Sequence, residues 1–270
     1  MNKFDVVDGV LVSFNGDDTN VVVPSNVTTI GKDAFRENER IESVVVSEGV
    51  KVIDEGSFYY CSNLKKVSLP SSLVSIKDCA FSNCSSLESI DIPSNVEEIG
   101  EQAFFSCQIK NFTIGPKVSK IGYLAFKGNS IVESINVSEE NSYFSSVDGV
   151  LYNKAHTVLE VYPQGKDVKV YKTLPTTKKI APFAFANLMG LGENQKTFII
   201  NEGVSEIGER AFAASISVKA VYIPSTVKTI GESAFMGYGI VEPKGKVFVK
   251  KGSGWKDSGV FDEDTIVVEQ

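Results

Sequence analysis

The sequence predicts a mostly β solenoid, of α/β class, in which short strands alternate with packed turns. Three observations carry this. An Ile-Gly…Ala-Phe tag recurs along the chain, an alternating apolar run precedes each tag, and Pro70, Pro93 and Pro224 close three of those runs. The tag isoleucines are Ile30, Ile53, Ile76, Ile99 and Ile121, then, after an interruption, Ile180, Ile207 and Ile230. Most lie 22 to 23 residues apart, which defines about eight units. Self-similarity at such a period is the mark of a stacked repeat.

Each unit has two halves. The first alternates, as in Leu87-x-x-Ile90-x-Ile92, with Glu88, Ser89 and Asp91 between. That pattern reads as a strand with one buried face. Proline then ends the pairing, because it has no N–H to donate. The second half returns through Val96, Ile99, Ala103 and Phe104, which predicts a packed turn or a single helical turn with Phe inside. One unit cannot bury its own apolar face, so stacking must supply the core. Phe35, Phe58, Phe81, Phe104 and Phe126 are then expected to form an interior column of rings.

The order of segments predicts one domain over residues 1–270. Residues 1–20 read as a cap, with Val10–Val12 and Val21–Val23 flanking a hairpin turn at Asn15–Asp18. Repeats fill 21–137. Residues 138–175 interrupt them with a hairpin of Gly149–Tyr152 and Val158–Tyr162, turning at Asn153–Thr157. Val147–Leu151 echoes Val7–Leu11. Repeats resume over 176–240, with a kink expected near Met189–Gly192, and 241–270 form a second cap. Trp255 suits a plug over the open core there.

The units resemble the BspA-like (treponemal type) leucine-rich repeats. The residues that carry this are Leu87-x-x-Ile90-x-Ile92-Pro93, Val96-x-x-Ile99-Gly100 and Ala103-Phe104-x-x-Cys107, with Asp148–Tyr152, Tyr162-Pro163 and Val249–Ser253. The resemblance implies a right-handed, curved superhelix with a parallel sheet on its concave face. It also implies a secreted or bacterial cell-surface protein used in adhesion, and it brings no catalytic residues. Asp5 and Asp8 interrupt any signal-peptide run at the N-terminus, which leaves the cytoplasm open as well.

Composition narrows the function. A net charge of −7 argues against nucleic acid and against an anionic membrane surface. No run reaches the length of a membrane-spanning helix. No cofactor motif is present, so none is predicted. His156, the only histidine, reads as an exposed turn residue. Cys61, Cys84 and Cys107 each stand three residues after the tag Phe, where other units carry Asn38, Asn129, Leu188, Ser215 or Tyr238. They read as free buried thiols. A bridge between neighbouring turns would stretch the bond, and a linear row cannot make a tetrahedral metal site.

The outward strand positions are the candidate binding face for a protein or glycan, with the hairpin at 139–172 as the alternative surface, because exposed loops on repeat scaffolds often carry function. One row is Glu42, Lys65, Glu88, Lys110 and Glu133, of alternating sign. Beside it run Val45, Ser68, Asp91, Thr113 and Asn136, then Ile199 and Tyr222. The simpler reading is a solvated charge ladder that holds register. Two further functions stay in view: a spacer in a surface assembly, and a glycan hydrolase using Glu88, Asp91 or Glu133.

Overall fold

The computed structural model describes residues 3–189, 196–239, 244–253, 255, 260–261 and 265–270. The chain forms two compact units, Met1–Tyr143 and Phe144–Gln270, each a parallel solenoid. The described residues contain no helix.

In the first unit the strands are β1 (Phe4–Val7), β2 (Val10–Phe14), β3 (Asn20–Val22), β4 (Thr29–Ile30), β5 (Ser43–Val45) and β6 (Val52–Ile53). They continue as β7 (Lys66–Ser68), β8 (Ser75–Ile76), β9 (Glu98–Ile99), β10 (Asn111–Ile114), β11 (Lys120–Ile121) and β12 (Ser134–Val137). Each turn is expected to give one strand, and most give two. The predicted strands pair in parallel as β3-β5-β7 and as β10-β12. A second ladder, β4-β6-β8-β9-β11, joins the tag isoleucines, Ile30 to Ile53 to Ile76 to Ile99 to Ile121. These strands hold only two residues, too few to show alternation in a sequence.

The stretch Leu87–Ile92, though it alternates like its neighbours, adds no strand between β7 and β10. Leu87 and Ile90 are still buried. The break falls where the loop from Cys107 to Ile109 is one residue shorter than Cys61–Leu64 and Cys84–Leu87.

The predicted helical turn is absent for a backbone reason. In all eight tagged turns the third and seventh residues after the isoleucine are left-handed, for example Asp33 (φ 57°) and Glu37 (φ 56°), or Gln102 (φ 53°) and Ser106 (φ 55°). A right-handed helix cannot pass through them. Instead the turns bond sideways. Asp33, Phe35 and Glu37 donate N–H bonds to the carbonyls of Glu55, Ser57 and Tyr59 one turn on, and later turns repeat the scheme. The glycine of the tag serves this close stacking. A Cβ on Gly100 would stand 2.4 Å from the Asp78 nitrogen.

The ring column is as expected. Phe35, Phe58, Phe81, Phe104 and Phe126 stack at 4.7, 5.0, 5.6 and 6.2 Å, with planes within 8°. Phe14 heads it at 5.2 Å from Phe35. The N-terminal hairpin differs from expectation. Its strands are β1 and β2, joined at Asp8-Gly9, and Val21-Val22 pairs instead with β5. Asp8 (φ 49°) and Gly9 (φ 80°) make the tight turn that hairpins prefer, so Asn15–Asp18 is only a crossing between ladders.

The second unit opens with three strands. They are β13 (Phe144–Val147), β14 (Val150–Asn153) and β15 (Val158–Val161). β14 and β15 are the predicted hairpin. Asn153 closes its turn by accepting N–H bonds from Thr157 (2.8 Å) and Val158 (3.0 Å). β13 is added through Asp148 (φ 49°) and Gly149 (φ 76°), the same turn as Asp8-Gly9. His156 lies in the β14–β15 turn but is half-buried, its ring 5.9 Å from Tyr152, not exposed as expected.

Next come β16 (Val170–Lys172), β17 (Lys179–Ile180), β18 (Lys196–Ile199), β19 (Glu206–Ile207), β20 (Val218–Tyr222), β21 (Thr229–Ile230), β22 (Lys246–Val249) and β23 (Ile266–Glu269). They form β16-β18-β20-β22-β23, and β17-β19-β21 continues from β15. Phe185, Phe212 and Phe235 stack at 4.7 and 5.2 Å, and Tyr162 heads this column at 5.3 Å. Phe261 ends it, 5.2 Å from Phe235, while Trp255 packs half-buried on the same core. Of the expected kink, residues 190–192 lie outside the described residues, as does Gly254.

Candidate functional site

In the first unit alternation turns Val44, Val67, Phe112 and Ile135 inward and sends their neighbours to solvent. Register sets Val45 against Ser68 and Thr113 against Asn136, as side-by-side neighbours. Lys65 pairs with Glu42 at 2.9 Å and Lys110 with Glu133 at 3.0 Å. All four side chains are at least half exposed, so each pair contributes at most about 1 kcal/mol. Glu88 and Asp91 are exposed on the stretch that forms no ladder, so the two rows are not continuous across it. Much of this face is bonded to itself: Ser43 donates to Asn20 at 2.6 Å and Ser134 to Asn111 at 2.7 Å.

The hydrolase reading gains nothing here. The Glu133 carboxylate is held by Lys110, and Glu88 and Asp91 lie open to solvent. The cysteine column forms as expected, with all four thiols free. Burial pushes the Cys61 and Cys107 thiols up to about 12, far from the reactive thiolate.

The second unit has a different face. Val221, Val247 and Phe198 point into the core, so Tyr222, Phe248 and Ile199 point out. Register places Lys172, Ile199, Tyr222, Phe248 and Val268 in one line across five strands. The line beside it is Val170, Thr197, Ala220, Lys246 and Ile266. Val170 is 56% exposed. Tyr222 and Phe248 stack at 4.5 Å with planes 6° apart. An open cleft of about 470 Å³ adjoins them, lined by Lys172, Ile199, Tyr222, Lys250 and Gln270 among others. Neither line holds a carboxylate. Of these residues only Ile199 and Tyr222 stand out in the sequence. Phe248 and Val268 lie beyond the last tagged unit, where the period that identifies outward positions has lapsed.

Known proteins support this architecture. The model of the BspA type leucine rich repeat region matches in six copies, over residues 13–133 and 168–242. A leucine-rich repeat protein from Eubacterium ventriosum is 25% identical, at TM-score 0.66, the match covering 90% of this chain and 68% of that one. The pneumococcal vaccine antigen PcpA is 19% identical at TM-score 0.64, with 100% and 98% covered. A leucine rich cell surface protein from Faecalibacterium prausnitzii is 20% identical at TM-score 0.59, with 89% and 84% covered. The last two speak for the fold alone. No curated protein matches. With the repeat model over most of its length, and with its ring column, tag ladder and parallel strands in place, the chain belongs to the BspA type leucine rich repeat family.

Proposed function

We propose that the chain is a non-enzymatic interaction module of a secreted or cell-surface protein, binding a protein or glycan partner. The binding face is the outward side of the sheet β16-β18-β20-β22-β23. The observation that carries this is the line Ile199–Tyr222–Phe248–Val268, a half-buried apolar strip on the outward side of the sheet. Aromatic residues so placed are the usual anchors of a binding surface. In the first unit Lys65, Ser68, Glu88, Asp91, Lys110, Thr113, Glu133 and Asn136 offer a weaker face, because Lys65, Lys110 and Glu133 are held in ion pairs and the rows break at Glu88 and Asp91.

The test is an array of immobilised proteins and glycans probed with the full chain. Binding should be lost in the double variant Tyr222→Ser/Phe248→Ser and kept in Lys65→Glu/Lys110→Glu. The reverse pattern moves the site to the first unit. An array with no bound spot removes the reading. Surface placement is checked separately, by protease shaving of intact source cells, which should release the protein.

A further inference from the structure

We infer that the occupant of the second unit's outward face is an extended acidic peptide segment that also carries apolar side chains. This rests on the interaction-module reading and names its partner class. Two features combine. The first is the apolar strip. The second is a charge frame in which lysines predominate: Lys172 lies in the strip, Lys246 in the line beside it, Lys219 at the β20 bulge, and Lys250 at the rim of the cleft. All four are exposed, and none makes an ion pair with a described residue. Two carboxylates share this region, Glu202 in the cleft wall and Glu269 beside Gln270, so lysines outnumber acids by four to two. Glu202 accepts from Ser225 at 3.5 Å and Glu269 from the Gly252 N–H at 3.3 Å. A positive frame around an apolar strip selects a negative partner with apolar groups.

A peptide fits better than a sugar chain or a nucleic acid. Sugars and bases use open ring faces. Here Tyr222 and Phe248 each cover one face of the other, and Ile199 and Val268 are their neighbours on the remaining sides. Four neighbouring strands span about 14 Å, which about four extended residues would cross. Carboxylates at either end of such a segment would meet the lysines.

The experiment uses the full chain and labelled peptides of about twelve residues, read by fluorescence anisotropy. One peptide alternates Asp or Glu with Val, Ile and Tyr. A second replaces the acids by Lys, and a third replaces the apolar residues by Ser. The first should bind at least about tenfold more tightly than either other, a difference of about 1.4 kcal/mol. Added salt should weaken it. Lys172→Glu/Lys250→Glu, changes at exposed positions checked by thermal melting, should transfer the preference to the lysine peptide. Equal binding of acidic and basic peptides, or an unchanged preference in the charge-reversed variant, overturns the inference. If no peptide binds while array binding still depends on Tyr222 and Phe248, the partner class is wrong and the module reading stands. If neither binding is seen, both fall.

Discussion

The Cys84 thiol donates to the carbonyl of Phe58, one turn back, over 3.1 Å. The contact recurs in five of the eight tagged turns. Cys61 reaches Phe35 and Cys107 reaches Phe81, while Asn129 and Ser215 make the same bond to Phe104 and Phe185. The shared property of Cys, Asn and Ser in these five turns is a short donor, while Asn38, Leu188 and Tyr238 hold the same position without this bond. Cys84→Ser should therefore lower stability by no more than about 1 kcal/mol, whereas Cys84→Leu should cost about 1–3 kcal/mol through overpacking. Urea titration distinguishes them. In the native protein a thiol reagent at pH 8 should reach Cys79 alone, and all four cysteines once unfolded.

Phe104 is fully buried between Phe81 and Phe126. Phe104→Ala should cost about 3–5 kcal/mol in a denaturant titration. A loss below about 1 kcal/mol would place the ring outside the core.

Glu98 carries a pH-dependent share of stability. Its carboxylate is bonded by Lys120 and by Lys77, each at 2.5 Å, which holds it at about 2, well below the usual carboxylate range. A depressed folded-state value stabilises the fold above the unfolded value, near 4.5, and the gain is lost as pH falls toward 2. Glu98→Gln should thus melt below the parent at pH 6 and converge with it near pH 2. Because both lysines are partly exposed, the difference at pH 6 is about 1 kcal/mol.

Gly100 has an ordinary backbone conformation, so its replacement tests packing and not strain. In Gly100→Ala the new methyl would meet the Asp78 nitrogen and the Lys77 carbonyl carbon at 2.4 and 2.5 Å. Those are backbone atoms that cannot swing aside. A loss of about 1–3 kcal/mol is expected by thermal melting.

Much of the fold was legible because its rules are local and repeated. Phe35 to Phe126 and the β14–β15 hairpin follow from spacing and turn chemistry. The second ladder was not legible, since Val52-Ile53 or Glu98-Ile99 alone has no pattern. Nor was the left-handed backbone at positions such as Tyr60, Gln102 and Arg210, residue types with no preference for it. There lateral bonding overrides propensity. The N-terminal hairpin was misplaced because Asn15-Gly16 is the more familiar turn signal, while Asp8-Gly9 makes the turn. At the candidate site, Tyr222 was visible as an odd member of a polar row. Its partner Phe248 was not, because the two meet only through strand register.

The sideways bonding of the turns has a consequence for inheritance. Each coil presents to the next the same donors and acceptors that it receives from the one before. A duplication or excision of one whole period, such as Asp54 through Ile76, would leave matching edges to rejoin. Gene length can therefore drift in steps of a coil without inventing new contacts, and a lineage can lengthen or shorten its reach while keeping both end caps.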